Sequence, residues 1–216
     1  MDFISKWNEI NQNGKLSFHD NFLELVTFLM NEKCLLAGET RYRLTELEIY
    51  YNDGDKHKDP YIHKDETQKS IGKLYYNGYG LDITFGDEEK NVYGGILIRG
   101  VKQLDGKCEF INGPANVLKK IMFQSGKIDE GVKIQLTDIE KQSEYEQTSI
   151  VCSTRIGLTK KAVDTENYIE KDYRFLTELV LEHKFKDKGN VVMKLLDKKK
   201  INEDEAFKII GYKIKH

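Results

Sequence analysis

The hydrophobic and polar positions of this chain change period several times, and each change predicts an element. Ser17 stands three residues before Asp20, and Phe18, Phe22, Leu25, Val26 and Leu29 follow at helical spacing. That pattern predicts a capped helix to about Glu32 with an inward aromatic stripe. From Arg41 to Asp53, RYRLTELEIYYND, the period drops to two, as in a strand. Leu47, Ile49 and Tyr51 share one face, which suits a core. Tyr42, Leu44, Glu46, Glu48 and Tyr50 share the other, so two carboxylates and a ring project together. Asn52-Asp53-Gly54-Asp55 closes the strand with turn chemistry.

The flanking segments are assigned the same way. Residues 1–15, with Trp7 followed by polar Asn and Gly positions, read as a short lead-in. Residues 56–70, KHKDPYIHKDETQKS, carry neither period and predict a loop, a frequent setting for function. That loop holds His57 and His63, with Asp65 two residues beyond the latter. A histidine oriented by a carboxylate is a common site device, and a solvated loop histidine is the plainer reading. Gly72–Phe85 predicts two tyrosine-rich strands broken at Asn77-Gly78 and Gly80. Tyr93–Leu104 predicts a strand with Arg99 inside an apolar run. A buried arginine needs a carboxylate, and Glu46, Glu48 and Asp82 are the candidates.

A short strand over Lys107–Ile111 precedes Pro114, which suits a first helical position. Val117, Leu118, Ile121 and Met122 would form that helix's buried face. Val132–Leu136 and Ser149–Leu158, the latter carrying Arg155, predict further strands, and Asp172–Phe175 begins another. Asn190 and the pair Asn202 and Glu205 predict the caps of two last helices. The first would bury Val191, Val192, Leu195 and Leu196, the second Ala206, Phe207 and Ile210. Lys198-Lys199-Lys200 joins them. The sum is an α+β fold: a curved antiparallel β-sheet core with flanking helices and a helical C-terminal appendage. The divisions are an α+β domain over residues 1–180 and a lysine-rich appendage over 181–216, packed on it.

Composition narrows the classes. The 216 residues are 39% hydrophobic and 32% charged, enough for one good core. There is no run of about 18 apolar residues, so no membrane span is predicted, and the polar, acidic start is unlike a signal peptide. Cys34, Cys108 and Cys152 are far apart and odd in number, which predicts free thiols in a cytoplasmic protein. From Glu182 to His216 ten lysines face six acids, a local +4, so a net charge of −2 leaves −6 to the remainder. A basic tail on an acidic body suits phosphate contact, and a solvated lysine-rich helix is the plainer reading.

Several chemistries are absent as motifs: GxxxxGK[ST], GxGxxG between strand and helix, HExxH and GxSxG. What remains is carboxylate, tyrosine, histidine and arginine spread over several strands. Those parts suit a planar ligand stacked on tyrosines and attacked by an activated water. Two adjacent carboxylates repel, which can raise one pKa into the range of a general base. A solvated outer face of the strand would also account for Glu46 and Glu48.

Six short pieces, in order over residues 40–176, resemble the 3-methyladenine (alkyladenine) DNA glycosylases of the human, antiparallel-sheet type. They are TELEIYY, GKLYYNGYG, LDITFG, GGILIRGV, INGPANVLKKIMF and STRIGL with KDYRF. The resemblance implies a monofunctional glycosylase that flips a base from double-stranded DNA and hydrolyses its N-glycosidic bond. It implies no metal, no cofactor, no membrane and a monomer. Glu48 matches the general base for water and Arg99 the arginine that orients and charge-balances it. Tyr50 matches a ring stacking on the flipped base, with His63 as the opposite wall. Tyr79 matches the wedge that replaces the extruded base. Glu46, beside Glu48, joins the substrate-binding candidates, and Lys198, Lys199 and Lys200 are candidates for backbone phosphates. No lysine lies in the matched segments near Glu48, so lyase activity is not implied.

The chain departs from the pattern in three places. The loop before Gly72 is shorter and lacks an arginine-rich run. Asn77 stands where a second stacking tyrosine is expected, with Tyr76 adjacent. Asp82 replaces an inspecting asparagine; when ionised it can only accept hydrogen bonds, for instance from the amino group of a cytosine. A glycosylase for hypermodified pyrimidines in phage DNA is therefore an open alternative. So are a catalytically lapsed nucleic-acid-binding protein on the same fold and a hydrolase of free nucleosides or nucleotides.

Overall fold

A computed structural model describes residues 1–13, 17–126, 129, 131–139 and 147–213. Helices α1 (Phe3–Asn13) and α2 (Phe18–Glu32) lead into strands β1 (Lys33–Ala37) and β2 (Thr40–Asn52). A 3-10 turn (Glu66–Lys69) precedes β3 (Ile71–Tyr76), β4 (Leu81–Phe85), β5 (Tyr93–Gln103) and β6 (Phe110–Asn112). Then follow α3 (Pro114–Gln124), β7 (Ile134–Asp138), β8 (Val151–Ser153), β9 (Arg174–Leu176), α4 (Lys188–Asp197) and α5 (Glu203–Ile210). The nine strands form one antiparallel sheet, curled into a half-barrel, and the class is α+β as the periodicities predict.

The sheet branches at its centre. Strands β2 and β5 pair along their length, but the register slips at Thr45 on β2 and slips back at Arg99 on β5. On either side of this double irregularity each strand has a different second neighbour. Before it, β2 pairs with β1; beyond it, with β9. Strand β5 changes from β4 to β6 at the same level. The carbonyls of the two slipped residues are bonded by the chain just past the short strands: Thr177 N–H donates to Thr45 O at 3.1 Å and Gly113 N–H to Arg99 O at 2.8 Å.

A bulge exchanges the two faces of a strand. The single-phase alternation expected for β2 is therefore corrected. Tyr42 and Leu44 belong to the core with Leu47, Ile49 and Tyr51, and only Glu46, Glu48 and Tyr50 share the opposite face. That opposite face is not solvated: Glu46 and Glu48 are buried.

Ser17 caps α2 as expected, its hydroxyl accepting from Asp20 N–H at 3.2 Å. Residues 3–13 are not a lead-in. They form α1, whose Phe3, Trp7 and Ile10 enter the core, with Trp7 edge-on to Phe85 at 4.9 Å. Pro114 opens α3; Val117 and Ile121 are buried, but Met122 faces out. The strand expected over Ser149–Leu158 is confined to Val151–Ser153, and that over Lys107–Ile111 lies at Phe110–Asn112. At the end, Asp187 rather than Asn190 precedes α4. The Asn202–Glu205 capping box opens α5, which buries Ala206 and Ile209 and leaves Phe207 exposed. Leu176 of β9 packs with Phe185, Val191 and Leu195, which fastens α4 to the sheet. Among the described residues no helix is long and apolar enough to cross a membrane.

Burial of Trp7 gives α1 a structural role that can be measured. Trp7→Ala is expected to cost about 3–5 kcal/mol, the range for a core aromatic, in equilibrium urea unfolding. An unchanged midpoint would return residues 3–13 to a lead-in.

Candidate functional site

The register lines up Tyr75, Asp82, Leu97, Glu48 and Arg174 in one row across β3, β4, β5, β2 and β9. Because the row lies at the branch, it gathers charged residues from strands far apart in sequence. Arg99 joins the two carboxylates of β2. Its Nε–H donates to Glu46 Oε1 at 2.9 Å, and its Nη1–H reaches Glu48 Oε2 at 3.4 Å. Arg174 Nε–H donates to the same Glu46 oxygen at 2.8 Å. Two glutamates and two arginines thus balance in a buried cluster, which is the condition for keeping such charges out of water. The need of Arg99 for a carboxylate is met by Glu46 and Glu48, not by Asp82.

Glu48 accepts from Ile156 N–H at 2.8 Å on Oε1 and from the Tyr50 hydroxyl at 2.9 Å on Oε2. Burial raises its pKa; Arg99, Ile156 N–H and the Tyr50 hydroxyl oppose the rise. Burial, and then the Glu48 charge, push the Tyr50 pKa well up, so the phenol stays a donor. Arg99 approaches Glu48 twice at 3.4 Å, Nη1 to Oε2 and Nε to Oε1, both longer than the usual charge-assisted bond. Of the four contacts these are the ones a water could most readily replace.

Above Glu48 lies a cavity of about 310 Å³, at the small end for ligand pockets. Tyr50, Tyr61, His63 and Tyr79 supply its rings, and Leu97, Arg99, Ile156, Gly157 and Leu158 also line it. Glu48 itself has no exposed surface. It lies behind Tyr50, Leu97, Arg99 and Ile156, all of which line the cavity.

Two of the rings are held by Arg155. Its guanidinium carbon lies 4.5 Å from the centre of Tyr50 and 5.4 Å from that of Tyr61, within cation–π range. Asp59 takes its charge through contacts of 2.5 and 3.2 Å, and the carbonyls of Ile49 and Tyr168 accept from Nη1 and Nη2 at 3.0 and 3.1 Å. The sequence pattern puts Arg155 on a strand and assigns it no role; it lies just beyond β8. Arg155 is flanked by Thr154 and Ile156, and its carboxylate partner Asp59 lies in a distant loop, so no local pattern marks the pair.

The third carboxylate, Asp82, stands in the wall and is nearly buried. Burial pushes its pKa up to about 7, and Glu48 adds to this; hydrogen bonds from Asn77 and Gln68 oppose it. A Cβ on Gly95 would lie 2.8 Å from Gln68 Nε2 and 3.1 Å from Asp82 Oδ2, so only glycine leaves room for that contact.

The remaining candidates divide. Tyr79 (73% exposed) and His63 stand together at the mouth, ring centres 6.3 Å apart. Asp65 does not orient His63 by a hydrogen bond; it caps the 3-10 turn by accepting from Thr67 N–H at 2.8 Å. His57 is a core residue. Its Nδ1–H donates to Tyr51 O at 2.9 Å, its Nε2 accepts from the Tyr173 hydroxyl at 2.8 Å, and burial lowers its pKa to about 4. Tyr76 is 61% exposed and does not line the cavity; Asn77 does. Glu46 also lies outside the lining, committed to Arg99 and Arg174. Lys198 and Lys200 line a larger groove of about 1380 Å³ that shares no lining residue with the cavity, and Lys199 is exposed at the turn between α4 and α5.

No family model matches the chain. It is similar to an uncharacterised protein, L759, of Acanthamoeba polyphaga mimivirus: 29% identical over 178 residues, covering 67% of this chain and 82% of that one. That name carries no chemistry, so function is argued from the site.

Asp82 predicts a pH dependence of stability. The folded carboxyl binds its proton more tightly, to about pH 7, than an ordinary aspartate at 3.8. Folding therefore takes up a proton between those values, and this contribution is complete below pH 4 and lost as pH rises through 7. The titratable groups that interact with it are Glu48 of β2 and Tyr75 of β3. Asp82→Asn should abolish the decline, so its stability relative to the wild type rises with pH by at most roughly 4 kcal/mol. Urea unfolding at pH 4 to 8.5 checks it; a pH-independent difference would mean that Asp82 titrates normally.

Proposed function

We propose that the chain is a monofunctional DNA glycosylase: it takes a base flipped from duplex DNA into the small cavity and hydrolyses its N-glycosidic bond. The observation that carries this reading is Glu48, held by Arg99, the Tyr50 hydroxyl and Ile156 N–H directly behind an aromatic-walled cavity. The ordered resemblance of the sequence pieces points the same way. Tyr50 and Tyr61, backed by Arg155, would stack on the base. Tyr79 at the mouth would fill the gap in the duplex, lowering the cost of extrusion, which is a few kcal/mol.

In the reaction a water replaces one long Arg99 contact of Glu48. The bond from the sugar carbon to the base nitrogen breaks, and the electron pair leaves with the base. The Glu48 charge stabilises the cationic sugar, the water oxygen bonds to that carbon, and Glu48 takes the water's proton, which then passes to the departed base. The products are the free base and an abasic site. The protein would act as a monomer in the cytoplasm, where its three free cysteines stay reduced. Phosphate contact by Lys198 and Lys200 would be a separate, peripheral one.

A second reading has one specific observation in its favour. Glu48 has no exposed surface, as suits a lapsed site that still binds nucleic acid. Alkali-revealed strand cleavage on duplexes bearing alkylated, deaminated and hypermodified bases separates the two. The glycosylase reading predicts abasic sites with at least one duplex and a rate lower by about 10²–10⁴-fold in Glu48→Gln, with duplex binding retained. No cleavage across the panel, with binding intact, would establish the lapsed reading instead.

A further inference from the structure

The wall of the cavity that carries Asp82 has its hydrogen-bond polarity set by backbone contacts. Two side-chain amides flank the carboxylate, and each is oriented from behind. The Asn77 Oδ1 accepts from Tyr79 N–H and from Gly80 N–H, both at 2.9 Å. Its amide nitrogen must therefore face Asp82, and it donates to Oδ1 at 2.8 Å. Gln68 is the third residue of the 3-10 turn, and its Oε1 accepts from Asp65 N–H at 3.2 Å in the capping box. Its nitrogen is thereby turned toward Asp82, to which it hydrogen-bonds over the bare Gly95.

Neither amide can be reversed without setting its nitrogen against backbone N–H donors. A flip of Asn77 would leave Tyr79 and Gly80 facing a donor; a flip of Gln68 would break the cap. On this wall Asn77 and Gln68 thus present only donors, and the acceptor is Asp82. A carboxylate has about four lone-pair sites. Asn77 takes one of them on Oδ1 and Gln68 a second, which leaves acceptor capacity for a ligand. The neighbouring carboxylate, Glu48, is enclosed behind Leu97 and Tyr50, so Asp82 is the carboxylate that lines the cavity.

We infer that the cavity selects a planar base whose edge donates N–H, an amino-bearing base of the cytosine or adenine kind, over its oxo counterpart. This rests on the reading of the cavity as a nucleobase site. An oxo group in that place would set its oxygen against the Asp82 carboxylate, while an amino group donates to it. Bidentate readout of base edges discriminates by 1–3 kcal/mol, which corresponds to about 5–150-fold in affinity.

The test uses the full chain and the free bases as probes, so that it is independent of catalysis. Affinities for cytosine and uracil, and for adenine and hypoxanthine, are measured by calorimetry at pH 8.5, above the point where Asp82 loses its proton. The expected result is tighter binding of the amino member of at least one pair by about 5-fold or more, with the ratio collapsing toward one in Asp82→Asn. Equal affinities within both pairs, tighter binding of the oxo members, or no binding of any base overturns the inference. The wild-type ratios decide even where the variant does not fold. A chain that prefers amino bases yet leaves every duplex uncleaved would retain this inference and lose the glycosylase reading; cleavage without the preference would do the reverse.

Discussion

The structure depends on Arg99 lying between Glu46 and Glu48. Three charges in a buried sheet are tolerated only if each is matched, and the match is completed by Arg174 on the far side of Glu46. Removing one member would leave an uncompensated buried charge, a loss of about 3–5 kcal/mol. The fold supplies this arrangement through its branch. The slips at Thr45 and Arg99 turn Glu46, Glu48 and Arg99 to one face, while β9, pairing only past the slip, carries Arg174 to them. Bulges recur where a sheet must re-aim a side chain, and here one irregularity sets both the topology and the charge cluster.

A second cluster, built on the same rule, shapes the walls. Arg155 is neutralised by Asp59 and lies against Tyr50 and Tyr61. The cavity is thus rigid on its aromatic side, where two rings are packed against a fixed cation, and open at its mouth, where His63 and Tyr79 are exposed. Between them stands Asp82, whose pKa burial pushes up to about 7.

Much of the fold is legible in the sequence because helical and strand periods are local. The cap at Ser17, the hairpin broken at Asn77-Gly78, Pro114 at a helix start and the Asn202–Glu205 box all follow from neighbours within four residues. The site is legible only in part. Arg99 inside an apolar run requires a carboxylate, and the sequence offers Glu46, Glu48 and Asp82, of which the first two are its partners. The bulge is not visible: one inserted residue shifts the phase of the alternation without disturbing either half, so Tyr42 and Leu44 read onto the wrong face. Pairings across long separations, Arg155 with Asp59 or Gln68 with Asp82, leave no local pattern. Trp7 and His57 were misread for a related reason. Polar neighbours suggest exposure, while tertiary contacts bury both.

The most direct test of the account is the titration of Glu48, followed by carboxyl carbon NMR in protein labelled at glutamate. Burial is expected to hold its midpoint above the ordinary glutamate range, and Arg99→Met should move it further up, because the opposing cation is gone. A midpoint at or below the ordinary value, or one that does not respond to the loss of Arg99, would contradict the claim that this ion pair governs the candidate site.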